Sequence, residues 1–397
     1  MPTIQSSLNT TLKVTLFAAT ILLLLTVGRW WYGGHDISRF IVCGDKFTDV
    51  AKVPTPLTVL RNSAGYDGQF FARLAFSPLD QRKSAYGITL DSPPYRQQRI
   101  IYPILAWMMA SGKAERVPWA LVLVNFLALV GITVIAAIIA RRFHLNPGYG
   151  LLIMLSGGFI LSFGRNLAEP LAGFFVLLAL YFLLEKRLAT CAIFASVAVL
   201  TREPAIITFA AVGLLTMWNC FKEEKRPRDY SFLWLLLPLA LYIAWQTYLT
   251  KIWGQPPTTT GPSLNPWPLN GFFTQLFQHP YREKPLACFI LLLYLSWHLW
   301  LSLEVLASFR TPAKTWGPET KSYLQSIRLA WIFWTLFAAF LPICIWEDDW
   351  GFTRILAEWS MLSWLCLFAA SKKPSKHLIY FTLLLAAGSI LRLCLRP

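Results

Sequence analysis

The chain has 397 residues, of which 56% are apolar and only 14% are charged, whereas soluble domains carry about a quarter charged residues. The apolar residues form long blocks, each of the roughly 17–25 residues that cross a bilayer, which argues against a soluble globular protein. The formal net charge of +16 fits the Lys- and Arg-rich loops of membrane proteins, so we do not expect nucleic-acid binding.

The hydropathy pattern predicts one all-α domain over residues 1–397, a polytopic transmembrane helical bundle of about eleven spans. The first apolar run, Val14–Val27, continues into aromatic residues without a small-x-small cleavage site, which favours an uncleaved span. Ile100–Ser111 is too short to span and is predicted as an interfacial or re-entrant helix. The predicted spans lie near 14–32, 117–140, 149–164, 167–184, 188–200, 204–220, 231–250, 286–309, 326–346, 355–370 and 377–393.

The distribution of Lys and Arg among the short loops predicts the orientation. One set holds fourteen of these residues and the other holds six, so the first set is assigned to the cytoplasm, together with the N-terminus. The cytoplasmic set comprises Arg141, Arg142, Lys186, Arg187, Lys222, Lys225, Arg226, Arg228, Arg310, Lys314, Lys321, Lys372, Lys373 and Lys376. The external set comprises Arg165, Arg202, Lys251, Arg282, Lys284 and Arg354.

Two external loops are long. Residues 33–99 show no strand repeat, and we expect interfacial helices there. Residues 251–285 are rich in Pro, Gly and Thr, especially over Gln255–Pro262, which predicts an irregular or mobile loop. The seven cysteines form neither a CxxC pair nor a zinc-ligand spacing, so no disulfide framework and no zinc site are expected.

With this orientation, the unusual ionisable residues all emerge at the external side, where charges at helix ends are costly unless they are paired or used. They occur in five short segments, namely Tyr66–Phe71, Tyr95–Pro103, Arg165–Pro170, Thr201–Pro204 and Glu347–Arg354. Within the apolar stretches the main ionisable residue is Glu304, near a predicted cytoplasmic end.

Each segment also has a purely structural interpretation. Asp67-Gly68 is an ordinary turn dipeptide. Asn166 with Glu169 fits a capping box, and Thr201 with Glu203 and Pro204 fits a capped helix start. The acids of Glu347–Asp349 fit a solvated loop, and the arginines fit anchors for lipid headgroups.

The combination favours a shared site over these separate explanations. Capping accounts for an acid at a helix start. It does not account for the Arg that accompanies the acid in both Arg165–Pro170 and Thr201–Pro204. Two helix N-termini on one face, together with guanidinium groups, form a phosphate site. A carboxylate beside it can act as a base, so a phosphate-bearing ligand fits this set of groups.

The motifs resemble the GT-C superfamily of integral membrane glycosyltransferases, and most closely a bacterial subgroup linked to cell-surface glycopolymer formation. The matching segments are Tyr66–Phe70, Arg96–Pro103, Glu169-Pro170 and Thr201–Pro204, so the resemblance covers roughly the first half of the chain. It implies a GT-C-like fold, a polyprenyl-phosphate sugar donor drawn from the membrane lipid, and a glycan or lipid acceptor. The first external loop has no second acid in a motif beside Asp67, so the resemblance leaves a divalent metal undecided.

The resemblance implies that Asp67 is the catalytic acid of the first external loop, and we expect it to act as the base. We expect Arg99, Arg202 and Arg354 to bind the donor phosphate. Other residues are expected to bind or orient substrate, namely Tyr66, Gln69, Arg96, Tyr102, Arg165, Glu169, Glu203, Asp348 and Asp349. The tryptophans of the rim (Trp267, Trp346 and Trp350) fit either sugar stacking or an interfacial belt.

Three alternative functions stay open on the sequence alone. A transporter or flippase of lipid-linked saccharides would favour internal repeats and polar residues near the midplane, and neither is evident. A non-catalytic envelope-assembly scaffold predicts that Asp67 and the arginines tolerate substitution. A polysaccharide polymerase or ligase is chemically close to the glycosyltransferase.

Overall fold

The computed structural model describes residues 4–222, 230–277, 285–310, 317–347 and 349–395, and this part of the chain is mostly helical. The first half contains α1 (Ile4–Tyr32), α2 (Gly68–Phe76), α3 (Pro93–Gln97), α4 (Ile101–Met109), α5 (Val117–Arg142), α6 (Gly150–Met154), α7 (Gly157–Phe163), α8 (Glu169–Leu184), α9 (Leu188–Thr201) and α10 (Ala205–Lys222). The second half contains α11 (Leu237–Trp253), α12 (Pro257–Thr260), α13 (Asn270–Phe277), α14 (Pro285–Phe309), α15 (Pro318–Ala339), α16 (Ile343–Trp346), α17 (Asp349–Ile355), α18 (Ala357–Ala369) and α19 (Lys376–Leu395). Short 3-10 helices lie at Ile37–Phe40, Ala114–Arg116, Pro147–Tyr149 and Tyr230–Leu236.

Five helices in the described residues are long and apolar enough to cross a membrane, which suggests a membrane protein. They are Asn9–Tyr32, Ala114–Arg142, Ser231–Trp253, Cys288–Phe309 and Lys376–Leu395. Three shorter apolar helices, α8, α9 and α10, coincide with further predicted spans. Helical structure is therefore confirmed, whereas eleven spans stay a prediction.

Two predicted spans are interrupted, which corrects the single helices expected there. The segment 149–164 divides into α6 and α7 at Ser156, whose backbone is extended (φ −60°, ψ 137°). Gly158 follows the break, and a Cβ there would lie 2.4 Å from the Thr353 carbonyl oxygen, so this glycine lets α7 approach α17 closely. The segment 326–346 is interrupted at Pro342, which cannot continue α15.

The first long loop folds against the ends of the membrane helices. It contains a parallel pair, β1 (Cys43–Gly44) with β2 (Val59–Leu60), and an antiparallel pair, β3 (Ser84–Ala85) with β4 (Ile88–Thr89). Cys43 lies opposite Val59, and Ser84 lies opposite Thr89. Every residue of α2 is buried, and its apolar side chains form a second core with α4 and α5. The segment 100–111, expected as an interfacial or re-entrant helix, contains the helix α4, and its position relative to the membrane stays a prediction.

The described part of the second long loop contacts its neighbours and contains two short helices, whereas its backbone over 261–269 is irregular, as its composition predicted. It forms α12 and α13, and the backbone N–H of Leu269 donates to the Ala339 carbonyl at 2.5 Å. Gly261 packs against the Tyr95 ring, and the Ser92 hydroxyl donates to the Thr260 carbonyl at 3.1 Å. Residues 278–284 lie outside the described residues. All seven cysteines, each within the described residues, are free thiols.

Loops that the charge distribution assigned to one side of the membrane lie together. The Ser371 hydroxyl donates to the Phe143 carbonyl at 2.9 Å, and Asn219 donates to the Ser322 hydroxyl at 3.2 Å. Both contacts join segments of the predicted cytoplasmic set. The five segments of unusual ionisable residues are brought together at another place, described next.

Candidate functional site

Asp67 lies between two arginines from distant parts of the chain. Its Oδ1 is 3.1 Å from Arg96 NH1, and its Oδ2 is 2.8 Å from Arg354 NH1. Asp67 directly precedes α2 with helical backbone angles (φ −58°, ψ −23°), yet its side chain makes no capping hydrogen bond. The carboxylate is therefore held by guanidinium groups and not by the helix that it precedes.

Gly68 explains why the chain can place Asp67 there. It is the first residue of α2 and has no positive φ, and the Gln69 N–H donates to the Tyr66 carbonyl at 3.2 Å, so Asp67-Gly68 forms the turn that opens α2. A Cβ on Gly68 would lie 2.5 Å from both the Arg165 and the Ile41 carbonyl oxygens. The glycine is needed because the backbone of α2 begins in contact with two other segments.

Glu169 and Arg202 form a buried ion pair. Arg202 Nε is 3.3 Å from Glu169 Oε1, and the two side chains are only 4% and 5% exposed. Arg354 Nε lies 4.0 Å from the same Glu169 oxygen. Glu169 therefore connects Arg202 to Arg354, and through Arg354 to Asp67.

Arg99 and Glu203 form a two-point pair beside this group. Arg99 Nε donates to Glu203 Oε2 at 2.9 Å, and NH2 donates to Glu203 Oε1 at 2.5 Å. Arg99 NH2 also donates to the Tyr95 hydroxyl at 2.8 Å. This geometry uses the planar fork of the guanidinium, which a lysine cannot reproduce.

The two capping interpretations, of Asn166 with Glu169 and of Thr201 with Glu203, are wrong. Asn166 has a left-handed backbone (φ 49°) and does not cap α8, whose N-cap residue is Ala168. Thr201 is the last residue of α9, and its hydroxyl donates back to the Val197 carbonyl at 2.7 Å. Glu169 and Glu203 therefore face arginines and complete no capping box.

The paired arginines are not lipid-headgroup anchors in this structure. Arg99 and Arg202 are buried, and Arg96 and Arg354 have only small exposed fractions. Arg96 also forms a two-point pair with Asp91, with distances of 2.8 and 2.7 Å, and stacks on Phe70. We refer to Asp67, Arg96, Arg99, Glu169, Arg202, Glu203 and Arg354 together as the charged cluster.

Two aromatic rings alternate with arginines at the edge of the charged cluster. The Tyr66 ring lies 5.2 Å from the Arg354 guanidinium carbon and 4.9 Å from that of Arg165. The Trp350 ring lies 4.3 Å from Arg165 and 4.1 Å from Arg392. Such contacts orient guanidinium groups, so Tyr66 and Arg165 belong to the surroundings of Asp67.

The rim tryptophans differ in exposure. Trp346 and Trp350 are buried, and Trp346 stacks on Phe352, whereas Trp267 is exposed. The belt interpretation therefore does not fit the two buried rings.

Two residues predicted to bind or orient substrate are instead engaged in holding the backbone. The Gln69 side chain accepts from the Gly44 N–H and the Thr48 hydroxyl and donates to the Ala64 carbonyl, which closes the loop before Asp67. Tyr102 is fully buried, and its hydroxyl donates to the Leu121 carbonyl and accepts from Asn125. These hydrogen bonds go to partners outside the charged cluster, although Tyr102 lies near enough to Glu169 to interact with it electrostatically.

Helix α11 fixes the segment that carries Arg96 and Arg99. Trp253 Nε1 donates to Gln97 Oε1 at 2.7 Å, and Gln246 donates to Gln98 Oε1 at 3.0 Å. The Trp245 indole donates to the Gln98 carbonyl at 3.2 Å. These contacts tie the two arginines to a candidate membrane span.

Glu358 is a further buried carboxylate, which the sequence patterns above did not identify as a candidate site residue. It is buried in α18, and its Oε1 accepts a hydrogen bond from the Thr208 hydroxyl at 2.6 Å, which in turn accepts from Trp334 Nε1 at 2.9 Å. Arg202 lies near enough to interact electrostatically with Glu358. The available signal was a carboxylate inside the apolar run 355–370, where an ionisable residue is rarely without a role.

Asp348 lies outside the described residues, as does the side chain of Asp349, although Asp349 begins α17. In the described part of the chain, no three or more His, Cys, Asp and Glu side chains gather as metal ligands. Asp67, Glu169 and Glu203 each face a guanidinium instead, so these donors as arranged do not fit a metal ion.

The electrostatics of the charged cluster favour ionised groups. Burial raises the pKa of Asp67, but the charges of Arg354 and Arg96 outweigh it and hold that pKa well below its ordinary value. Burial likewise raises the pKa of Glu203, and Arg99 lowers it below the ordinary value. At neutral pH Asp67 and Glu203 are therefore carboxylates that face guanidinium groups.

Comparison of the chain with protein-family models, with curated proteins and with solved structures finds no match.

Proposed function

We propose that the chain is a GT-C type membrane glycosyltransferase that transfers a sugar from a polyprenyl-phosphate donor to an envelope glycan or lipid acceptor at the external face. The observation that carries the proposal is the position of Asp67, within ion-pair distance of Arg96 and Arg354 and linked through Glu169 to Arg202. A carboxylate beside several guanidinium groups supplies both parts of the chemistry, a base and a binding site for a leaving phosphate.

An apolar groove supports a lipid-linked donor. A cavity of about 420 Å³ lies between α4, α5 and α8 and is lined by Leu105, Met108, Met109, Leu127, Phe174 and Phe175, among others. Helix α4 begins two residues after Arg99, and α8 begins with Glu169. Asn125 joins these segments by donating to Tyr102 Oη and to the Leu167 carbonyl, both at 2.9 Å. Apolar walls near buried arginines match a ligand with a hydrocarbon tail and a phosphate head.

The reaction is a single displacement at the anomeric carbon. The acceptor oxygen forms a bond to that carbon and loses its proton to the Asp67 carboxylate. The bond from the anomeric carbon to the phosphate oxygen breaks, and its electron pair leaves with the lipid phosphate. Arg354, Arg202 and Arg99 stabilise the charge that develops on this phosphate, and a single displacement inverts the anomeric configuration.

Donor binding also prepares the base. While Arg354 pairs with Asp67, the carboxylate is a weak proton acceptor because its pKa is low. A phosphate that pairs with Arg354 draws this charge away from Asp67, which raises the pKa of the carboxyl and strengthens it as a base.

The test is sugar transfer from polyprenyl-phosphate donors by the protein in vesicles. Asp67→Asn should abolish transfer, whereas Asp49→Asn, in the same loop and paired with the exposed Lys52, should retain it. Full activity of Asp67→Asn would exclude the base role. Movement of the labelled donor across the vesicle membrane, without any transfer, would instead favour a flippase.

A further inference from the structure

A groove lies away from the charged cluster, between α14 and the segment that leads into α19. Its volume is about 650 Å³, and its walls include Leu299, Trp300 and Leu303 on one side and Lys372 and Lys373 on the other. The groove therefore has an apolar half and a basic half, a division that matches an amphipathic ligand.

The apolar half belongs to a surface suited to lipid. Cys288–Phe309 is one of the candidate membrane spans, and within it Leu299 and Leu303 are 63% and 57% exposed. Large apolar side chains exposed on a membrane span contact acyl chains in a bilayer. A lipid chain lying along α14 would thus cover Leu303 and Leu299 in turn.

The basic half is formed by lysines that lie close together in the chain, namely Lys372, Lys373 and Lys376. Lys373, Lys376 and His377 are exposed, and the His377 ring lies 6.4 Å from the Trp300 ring. Glu304 adjoins them, but its carboxylate accepts from the Ser375 N–H at 3.2 Å and pairs with Lys372 at 3.8 Å. The acid is thereby already engaged, and Lys373 and Lys376 form no ion pair among the described residues.

The surroundings add further positive charge. The Ser371 hydroxyl donates to the Phe143 carbonyl, which places this segment beside the end of α5 with Arg141 and Arg142. A surface of this kind attracts the anionic lipids of a membrane leaflet. A free phosphate ion has no apolar part, so it would leave the apolar half of the groove uncovered.

We propose that this groove binds an anionic phospholipid, with its headgroup at Lys372, Lys373 and Lys376 and an acyl chain along Trp300, Leu303 and Leu299. The site is separate from the charged cluster and does not depend on the function proposed above. Because the basic residues belong to loops that the charge distribution assigns to the cytoplasm, the lipid comes from that leaflet.

Native mass spectrometry of the purified full chain tests this proposal, with phosphatidylglycerol and phosphatidylcholine of identical acyl chains as probes. We expect one phosphatidylglycerol to be retained in preference to phosphatidylcholine. Lys373→Gln should weaken phosphatidylglycerol binding about fivefold and leave phosphatidylcholine unchanged. Lys83→Gln, an exposed lysine in the first long loop, is the matched control and should have no effect.

A separate variant tests the contact between the acyl chain and α14. Leu303→Asn should weaken the binding of both lipids, whereas Leu292→Asn, exposed on the same helix but outside the groove lining, should not. Millimolar inorganic phosphate should fail to displace phosphatidylglycerol. Equal retention of both lipids, displacement by phosphate alone, or unchanged selectivity in Lys373→Gln would each overturn the proposal. Lys373 is exposed, so its substitution leaves the fold intact and the result can be interpreted.

Discussion

Arg354 NH1 lies 2.8 Å from Asp67 Oδ2, although Asp67 precedes α2 in the first long loop and Arg354 lies in α17 near the end of the chain. The contact closes the charged cluster, because Arg354 also approaches Glu169, which pairs with Arg202. Arg354 thus links the first loop to the start of α8, and its charge, together with that of Arg96, determines how readily Asp67 accepts a proton.

The acid limb of the pH profile should report Asp67. Its pKa in the folded protein is held below the ordinary value of about 3.9, mainly by Arg354 and Arg96 against the opposing effect of burial. The stabilising interaction is therefore fully present above that ordinary value and is lost as the pH falls through the lowered pKa. We expect kcat/KM for transfer to stay level down to about pH 4.

Arg96→Gln removes one of the two cations and should move the acid limb to higher pH, because the pKa of Asp67 rises. Asp91→Asn is the control, since it removes a partner of Arg96 but leaves both arginines at Asp67. An acid limb that stays in place in Arg96→Gln would show that Asp67 is not the titrating base.

Breaking the buried pair of Arg202 and Glu169 should lower the free energy of unfolding. Arg202→Met leaves a buried carboxylate with less compensation, and such a loss costs about 3–5 kcal/mol. Glu169→Gln added to Arg202→Met should recover part of that cost. Chemical denaturation in detergent measures both variants.

The matched control for this pair is Lys52→Met, which breaks the exposed pair with Asp49 and should leave the free energy of unfolding nearly unchanged, because solvent screens the pair. Equal effects of Arg202→Met and Lys52→Met would contradict the buried pairing.

Replacing Thr208 should destabilise the folded protein more than replacing Thr216, another threonine of the same helix. The Thr208 hydroxyl donates to buried Glu358, so Thr208→Val removes a hydrogen-bond donor from that carboxylate, at a cost of about 1–3 kcal/mol. Thr216 of α10 donates only to the Val212 carbonyl of its own helix, and Thr216→Val should cost less. Thermal unfolding of the two variants measures the difference, and equal stability would argue against a Glu358 contact.

Gly68→Ala should displace Asp67. The added Cβ would overlap the Arg165 and Ile41 carbonyl oxygens at 2.5 Å, and backbone atoms cannot move aside cheaply. We expect a loss of about 1–3 kcal/mol in stability together with a large loss of transfer. Gly388→Ala in α19 meets no atom within 4 Å and should retain both. Normal activity in Gly68→Ala would mean that the position of Asp67 is not needed.

The apolar groove should discriminate donors by chain length. Leu127 lines it and is 49% exposed, so Leu127→Trp should narrow it and raise KM for a long polyprenyl donor, but not for a short-chain analogue. Leu123, one turn earlier in α5 and 45% exposed, is outside the groove lining, so Leu123→Trp is the matched control. The same KM for both donors in Leu127→Trp would remove the groove from donor binding.

Local patterns predicted much of the helical arrangement. Long apolar runs form helices because each helix satisfies its own backbone hydrogen bonds, so the signal lies within one segment. The predicted spans at 14–32, 117–140 and 377–393 accordingly coincide with α1, α5 and α19. Composition did not reveal the contacts of 255–262 with Tyr95 and Ser92, because these partners lie in a distant part of the sequence.

The sequence by itself selected Asp67, Glu169, Arg202 and Arg354 as charges too costly to leave at helix ends without partners. Only the tertiary structure decided the pairing, with Asp67 beside Arg354, Arg99 beside Glu203, and Glu358 near Arg202. The physical reason is the sequence separation over which each effect acts. Hydropathy and capping depend on residues a few positions apart, whereas an ion pair depends on how distant segments pack. Close approaches such as that of Gly68 to the Arg165 carbonyl exist only once those segments meet.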